Sequence, residues 1–202
     1  MSYTGHVVVN GKLGEGKSAL GMSLFGREEG GALWWDPSDD QAVPEDAVAA
    51  DPRASLDALT RALRAGRHVV WHAGPLTERQ RRVQVDVLAT LCGRNKASLY
   101  LDEAHLVYGQ GRPYPTVHDL VMRGRHLGCN VVLMDPSPQG IDKSIYRLAT
   151  LYLFDLEMIG PWLAQYAIPD DAVARVRAAG RHYYVRIQGG QVDGPHKLQL
   201  AS

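Results

Sequence analysis

Short runs of β-branched and aromatic residues alternate along the chain with longer segments whose apolar residues recur every three or four positions. His6 to Asn10, Ala32 to Asp36, His68 to His72, Ser98 to Asp102, Asn130 to Asp135, Leu151 to Asp155 and His182 to Ile187 predict strands. Ala19 to Phe25, Leu56 to Arg64, Glu78 to Leu91, Val117 to Leu127 and Asp142 to Leu148 predict helices. Strand and helix in alternation build a parallel sheet covered by helices, so a three-layer α/β domain is expected. Trp34, Trp35 and Trp71 fall in strand runs and belong to its core.

Three stretches leave the pattern. Asp36 to Asp51 combines Pro37 and Pro44 with acidic residues and reads as a surface connection. Tyr108 to Thr116 carries Gly109, Gly111, Pro113 and Pro115 directly after a strand, where α/β proteins bind ligands. Gly189 to Ser202 reads as a hairpin or loose tail. The expected division is one domain over residues 1–188, followed by 189–202.

Composition narrows the function. At 202 residues, 45% hydrophobic and 22% charged, the chain is neither disordered nor fibrous. Twenty-two basic residues balance 22 acidic ones, so no global field draws it to DNA or an anionic membrane, and any nucleic-acid contact is local. Cys92 and Cys129 sit in apolar surroundings and read as reduced, packed thiols. No apolar run approaches the ~20 residues that span a bilayer, and the N-terminus lacks a signal-peptide pattern. A soluble intracellular chain is expected.

The strongest chemical signal comes directly after the first strand. Gly11-Lys12-Leu13-Gly14-Glu15-Gly16-Lys17-Ser18 satisfies G-x-x-x-x-G-K-[ST] between a strand and a helix, the context this phosphate-binding loop requires. Gly11, Gly14 and Gly16 let backbone N–H groups turn toward a polyphosphate, and Ala19 continues into a helix that presents its positive end. Lys17 is expected on the β- and γ-phosphates and Ser18 on Mg²⁺. Lys12 and Glu15 occupy variable positions and receive no role.

Ser98 to Leu101 leads into Asp102-Glu103-Ala104-His105, an apolar strand ending in two acids. Asp102 is expected at the metal and Glu103 as the base that polarises the attacking water. An acid directly after the metal-binding Asp marks the additional-strand, RecA-like class of P-loop NTPases. Asn95-Lys96-Ala97-Ser98 lacks the Asp of a guanine-reading motif, so ATP is the expected nucleotide. His105 is a candidate hydrogen-bonding neighbour of this site.

A third constellation carries the family resemblance. Arg123-Gly124-Arg125-His126-Leu127-Gly128 enters Asn130 to Asp135, with Pro136-Ser137-Pro138 and Asp142-Lys143-Ser144-Ile145-Tyr146-Arg147 after it. From Thr4 to Asp155 this order resembles the FtsK–HerA superfamily of DNA-pumping ATPases. It is most similar to zonula occludens toxin-like and filamentous-phage assembly ATPases, and in length to small viral genome-packaging ATPases. The resemblance implies a hexameric ring with ATP between subunits and an arginine supplied in trans, Arg125 by its R-x-x-G position, with Arg123 as alternate. It also implies DNA as a non-specific partner, a capsid, portal or membrane-assembly protein as a second, and a place in the host cytoplasm or with the virion. Members usually carry a polar sensor where this chain has Asp135-Pro136. Gln139 lies close by in sequence, and Asp135 is expected to order Mg²⁺ or a water, or to cap the next turn.

Arg79, Arg81, Arg82, Arg94 and Lys96 form one basic cluster that DNA could meet, and Arg112 with Tyr108 and Tyr114 forms another. The alternative to an ATP-driven DNA motor is an ATP-dependent switch that governs assembly with a protein partner. A small-molecule phosphotransferase would need a lid and acceptor pocket that the sequence does not display.

Overall fold

The computed structural model describes residues 5–39, 41–156 and 161–199. β1 (His6–Asn10) lies deep in one sheet with β2 (Ala32–Asp36), β3 (Val48–Ala50), β4 (His68–His72), β5 (Ser98–Leu101), β6 (Val131–Asp135), β7 (Ala149–Leu153), β8 (Tyr183–Gln188) and β9 (Gln191–Lys197). The order is β3-β4-β2-β5-β6-β1-β7-β8-β9. β1 to β7 pair in parallel, and β8 and β9 add antiparallel at one edge. β6 thus separates the phosphate-loop strand β1 from the acid-bearing strand β5. The carboxyl ends of all three meet at one edge.

Alternate side chains of the central strands enter opposite faces, as the two-residue period of a strand requires. Val7, Val9 and Trp34 pack under α1 (Lys17–Phe25) with Phe25 and Tyr100. Val8, Leu33 and Trp35 pack on the other face beneath α2 (Leu56–Arg64), α3 (Glu78–Asn95), α4 (Pro115–Leu127) and α5 (Asp170–Ala179). Trp34 stacks on Tyr100 at 5.8 Å between ring centres, and Phe25 meets both edge-on, each pair worth about 1 kcal/mol beyond its buried area. Trp34, Trp35 and Trp71 are all buried, and Cys92 and Cys129 are buried free thiols.

Several elements depart from the sequence reading. The expected helix over Asp142 to Leu148 is a 3₁₀ segment, Lys143–Arg147, capped by Asp142, which accepts from the Ser144 N–H. β7 starts and ends two residues earlier than expected. Leu153 already pairs with Asn10, and the chain then leaves the ladder. The Asp36 to Asp51 connection contains β3, whose three short residues show no strand pattern. α5 has no counterpart among the sequence-predicted helices, although Asp170 and Asp171 in its first turn and Val173 and Val176 on its buried face fit a helix. β9 alternates exposed with half-buried positions and owes its place to pairing with β8. Among the described residues, no helix is long and apolar enough to cross a membrane.

Candidate active site

The turn from β1 into α1 is held close to its neighbours. A Cβ on Gly11 would lie 2.4 Å from the Phe154 Cβ, so only glycine lets the loop start against the chain leaving β7. Gly16 has φ 104°, the left-handed region, and a Cβ there would stand 2.4 Å from the Leu198 Cδ2. Gly14 forms the crest, where its carbonyl accepts from the Arg181 guanidinium at 3.3 Å. Among the described residues no side chain caps the first turn of α1, so its N–H groups remain available to an anion. Ala19 is exposed on that turn, and Lys17 is buried in it.

Burial lowers the pKa of Lys17, opposed by the carboxylates of Asp102, Glu103, Asp135 and Glu15. Its Nζ donates to the Lys12 carbonyl at 3.2 Å. Ser18 Oγ donates to Asp102 Oδ2 at 3.1 Å, so the sequence-predicted metal ligands, 84 residues apart, are in direct contact. Burial pushes the Asp102 carboxyl up to about 6, although the Glu103 N–H, the Ser18 hydroxyl and Lys17 favour its charge. A hydroxyl and a partly desolvated carboxylate side by side are a hard oxygen donor set that fits Mg²⁺, which would neutralise the acid.

Glu103 comes next in left-handed backbone, φ 48° and ψ 50°, a conformation that costs a non-glycine residue on the order of 1 kcal/mol. The turn is fixed by Asp102 Oδ1, which accepts from the Glu103 N–H at 3.0 Å. Glu103 Oε2 lies 3.5 Å from His105 Nδ1. Asp135, at the sensor position, has a buried carboxylate engaged by the His105 main chain and ring and by the Ser137 N–H. It caps the turn after β6, one of the roles expected for it. Gln139 is exposed in the next turn.

Lys12 and Glu15, given no role from sequence, both anchor the loop. Lys12 Nζ donates to Asp155 Oδ2 at 2.5 Å, and Arg177 reaches the same carboxylate at 3.0 Å. Glu15 is buried and accepts from the His182 N–H at 3.3 Å. These partners lie 143 and 167 residues away, beyond any local sequence signal.

Arg123 sits on the exposed side of α4 and pairs with Asp119 at 2.8 Å. Arg125 belongs to the last turns of the same helix, and its side chain lies outside the described residues. Of the first basic cluster, Arg79, Arg82, Arg94 and Lys96 are exposed, and Arg82 stands 5.6 Å above the Tyr114 ring. In the second, Arg112 is exposed, but Tyr108 and Tyr114 are buried and pack the loop down. They offer no face to a base.

No protein-family model matches this sequence, and no curated protein matches it. Among solved structures, the genome-packaging NTPase B204 of Sulfolobus turreted icosahedral virus 2, in complex with AMPPCP, aligns with a TM-score of 0.76 at 15% identity. The alignment covers 97% of this chain and 99% of that chain. B204, the DNA-packaging ATPase from Sulfolobus turreted icosahedral virus, aligns at 0.73 and 15% identity, covering 98% and 100%. The N-terminal domain of zonular occludens toxin from Neisseria meningitidis aligns at only 0.45 and 14% identity over 78% and 81%, too slight a likeness to argue from. Together with the phosphate loop, the strand order and the acid pair, the likeness to B204 establishes that this chain has the three-layer α/β fold of a P-loop NTPase.

Proposed function

We propose that this chain is an ATP-hydrolysing motor that moves DNA, in viral genome packaging or phage assembly. The observation that carries the reading is the 3.1 Å contact between Ser18 Oγ and Asp102 Oδ2, which brings the phosphate loop and the acid pair into one site. The full-length likeness to B204, a chain described as a genome-packaging NTPase, supports the motor over a switch.

In this reading the N–H groups from Gly11 to Ala19 bind the triphosphate, and Lys17 neutralises its β- and γ-oxygens. Ser18 and Asp102 hold Mg²⁺, which when bound draws charge from the phosphate oxygens. Glu103 accepts the proton of the water that attacks the γ-phosphorus. Arg125, or Arg123 as alternate, enters from a neighbour in a hexameric ring to stabilise the transition-state charge. Contacts to DNA are mainly to phosphates and carry little sequence preference. The chain works in the host cytoplasm or on the virion, and a capsid, portal or membrane-assembly protein sets where it loads.

The test is steady-state ATP turnover with and without DNA. Wild-type hydrolysis should need Mg²⁺ and rise with DNA, while Glu103→Gln binds ATP and does not turn it over. Turnover indifferent to DNA and to ring formation would replace the motor with a nucleotide switch.

A further inference from the structure

Asp135 joins the two halves of the site. At the tip of β6, its carbonyl accepts from the Asn10 side chain at 3.2 Å and from the Gly11 N–H at 3.4 Å, at the root of the phosphate loop. Its carboxylate faces the acid-bearing turn, where Oδ2 accepts from both the main-chain N–H and the ring Nδ1 of His105, each at 2.8 Å. Oδ1 accepts from the Ser137 N–H at 3.1 Å. On another flank Gly140 comes so close that a Cβ would stand 2.3 Å from Oδ1. A carboxylate 2% exposed, with three donors and a wall of backbone, has one orientation.

That orientation fixes the imidazole. A carboxylate only accepts, so the ring nitrogen facing Asp135 carries the proton. The same Nδ1 lies 3.5 Å from Glu103 Oε2. Glu103 is 36% exposed on a left-handed turn, and its long side chain has rotamer freedom that hydrolysis must remove. The Nδ1–H bond goes to Asp135, and Glu103 Oε2 stands 3.5 Å from the same nitrogen, beside a ring edge that this bond holds in place.

The geometry points to His105, oriented by Asp135, as the positioning residue for Glu103. The inference rests on the reading of Glu103 as the base of ATP hydrolysis. It also gives the carboxylate at the sensor position a use, because Asp135 holds the ring that stands beside Glu103.

The experiment compares ATP turnover and calorimetric ATPγS affinity for the full chain and its variants. His105→Ala should lower kcat about 10- to 100-fold with nucleotide affinity unchanged, the scale of a misplaced catalytic group. His105→Asn puts an amide N–H where Nδ1–H stood and should restore most of the rate. His105→Gln carries its amide nearer the position of Nε2, so it should stay slow while keeping the bulk and polarity of the site. Glu103→Gln/His105→Ala should be no slower than Glu103→Gln alone, since residues acting through one group are not additive. A wild-type rate in both His105→Ala and His105→Gln beside an inactive Glu103→Gln overturns the assignment. So does a double variant slower than Glu103→Gln, or an Asn variant as slow as the Gln variant. Absence of turnover in the wild type, or wild-type turnover in Glu103→Gln, would instead defeat the ATPase reading and this inference with it.

Discussion

Lys12 Nζ and Asp155 Oδ2 are 2.5 Å apart, an ion pair that ties the second residue of the phosphate loop to the chain just beyond β7. Arg177 of α5 holds the other oxygen of the same carboxylate at 3.0 Å, so two cations share it. Burial alone would raise the Asp155 pKa, but the bonds from Lys12 and Arg177 outweigh it and hold the carboxyl below its ordinary value. Asp155→Asn should therefore loosen the loop and weaken ATPγS binding about three- to tenfold through lost pre-organisation. The anchor's contribution is complete above the unfolded carboxyl pKa and fades as pH falls through the lower folded value. Calorimetric affinities of wild type and variant should thus differ at pH 7, and the difference should begin to shrink only below about pH 4, as pH falls toward the lowered folded value.

Asp102 titrates in the opposite sense. Burial raises its carboxyl from 3.8 to about 6, so without a cation the folded state favours the protonated acid. Stability of the ligand-free chain is then lost as pH rises from the unfolded value through the folded one. Asp102→Asn removes the charge and should melt at a higher temperature than wild type above pH 6, in chelator and without nucleotide. The difference should vanish below pH 4. Mg²⁺ with ATPγS should reverse the ranking at pH 7, because only the wild type retains the carboxylate. A variant that melts below the ligand-free wild type at pH 7 would show that Asp102 does not bear an uncompensated buried charge.

The fold, and the glycine loop and acid pair of the candidate site, were legible because they rest on local patterns. Val7, Val8 and Val9 announce a buried strand, and Gly16-Lys17-Ser18 announces the phosphate loop and helix start, all within a dozen residues. The Ser18–Asp102 contact could be expected because both motifs lie at carboxyl ends of strands in one parallel sheet. The anchors of the loop were not legible. Lys12 finds Asp155, and Glu15 finds His182, only because β7 adjoins β1 and β8 then adjoins β7, an order no local period encodes. The role of Asp135 stayed open for the same reason. Whether its carboxylate met a metal, a water or a turn depended on β6 lying between β1 and β5, which delivers it to His105.

Gly11 is a steric rather than a catalytic requirement. The atom that a Cβ would strike is the Phe154 Cβ, with the Phe154 Cα at 3.4 Å, so the obstacle cannot rotate away as a flexible side-chain tip would. Phe154 is fully buried, packed under α1 with Tyr184 at 5.4 Å between ring centres. Gly11→Ala must therefore push the chain that carries Asp155 and should destabilise the protein by about 1–3 kcal/mol, the range for overpacking. Denaturant titration measures this loss, and ATPγS affinity should fall with it because Lys12 loses its partner. Gly30→Ala is the control, since nothing lies within 4 Å of a Cβ there.

Arg123 and Arg125 share one helix but predict different consequences. Arg123 is 72% exposed and pairs with Asp119 one turn earlier, also exposed, an arrangement that contributes at most a few tenths of a kcal/mol. Arg123→Ala should leave stability close to wild type, and a fall in its turnover would make Arg123 rather than Arg125 the arginine that serves the neighbour. If Arg125 serves a neighbour's ATP, Arg125→Ala should bind ATPγS normally, since its own phosphate loop is intact, yet turn over about 10³-fold more slowly, the scale of a trans arginine. The decisive measurement mixes subunits: Glu103→Gln retains Arg125 but has no base, and Arg125→Ala retains the base but donates no arginine. A mixed ring contains interfaces that join an intact Glu103 to an intact Arg125, so two inactive preparations should recover turnover when combined. Mixtures that stay inactive while forming rings would remove Arg125 from the neighbouring site.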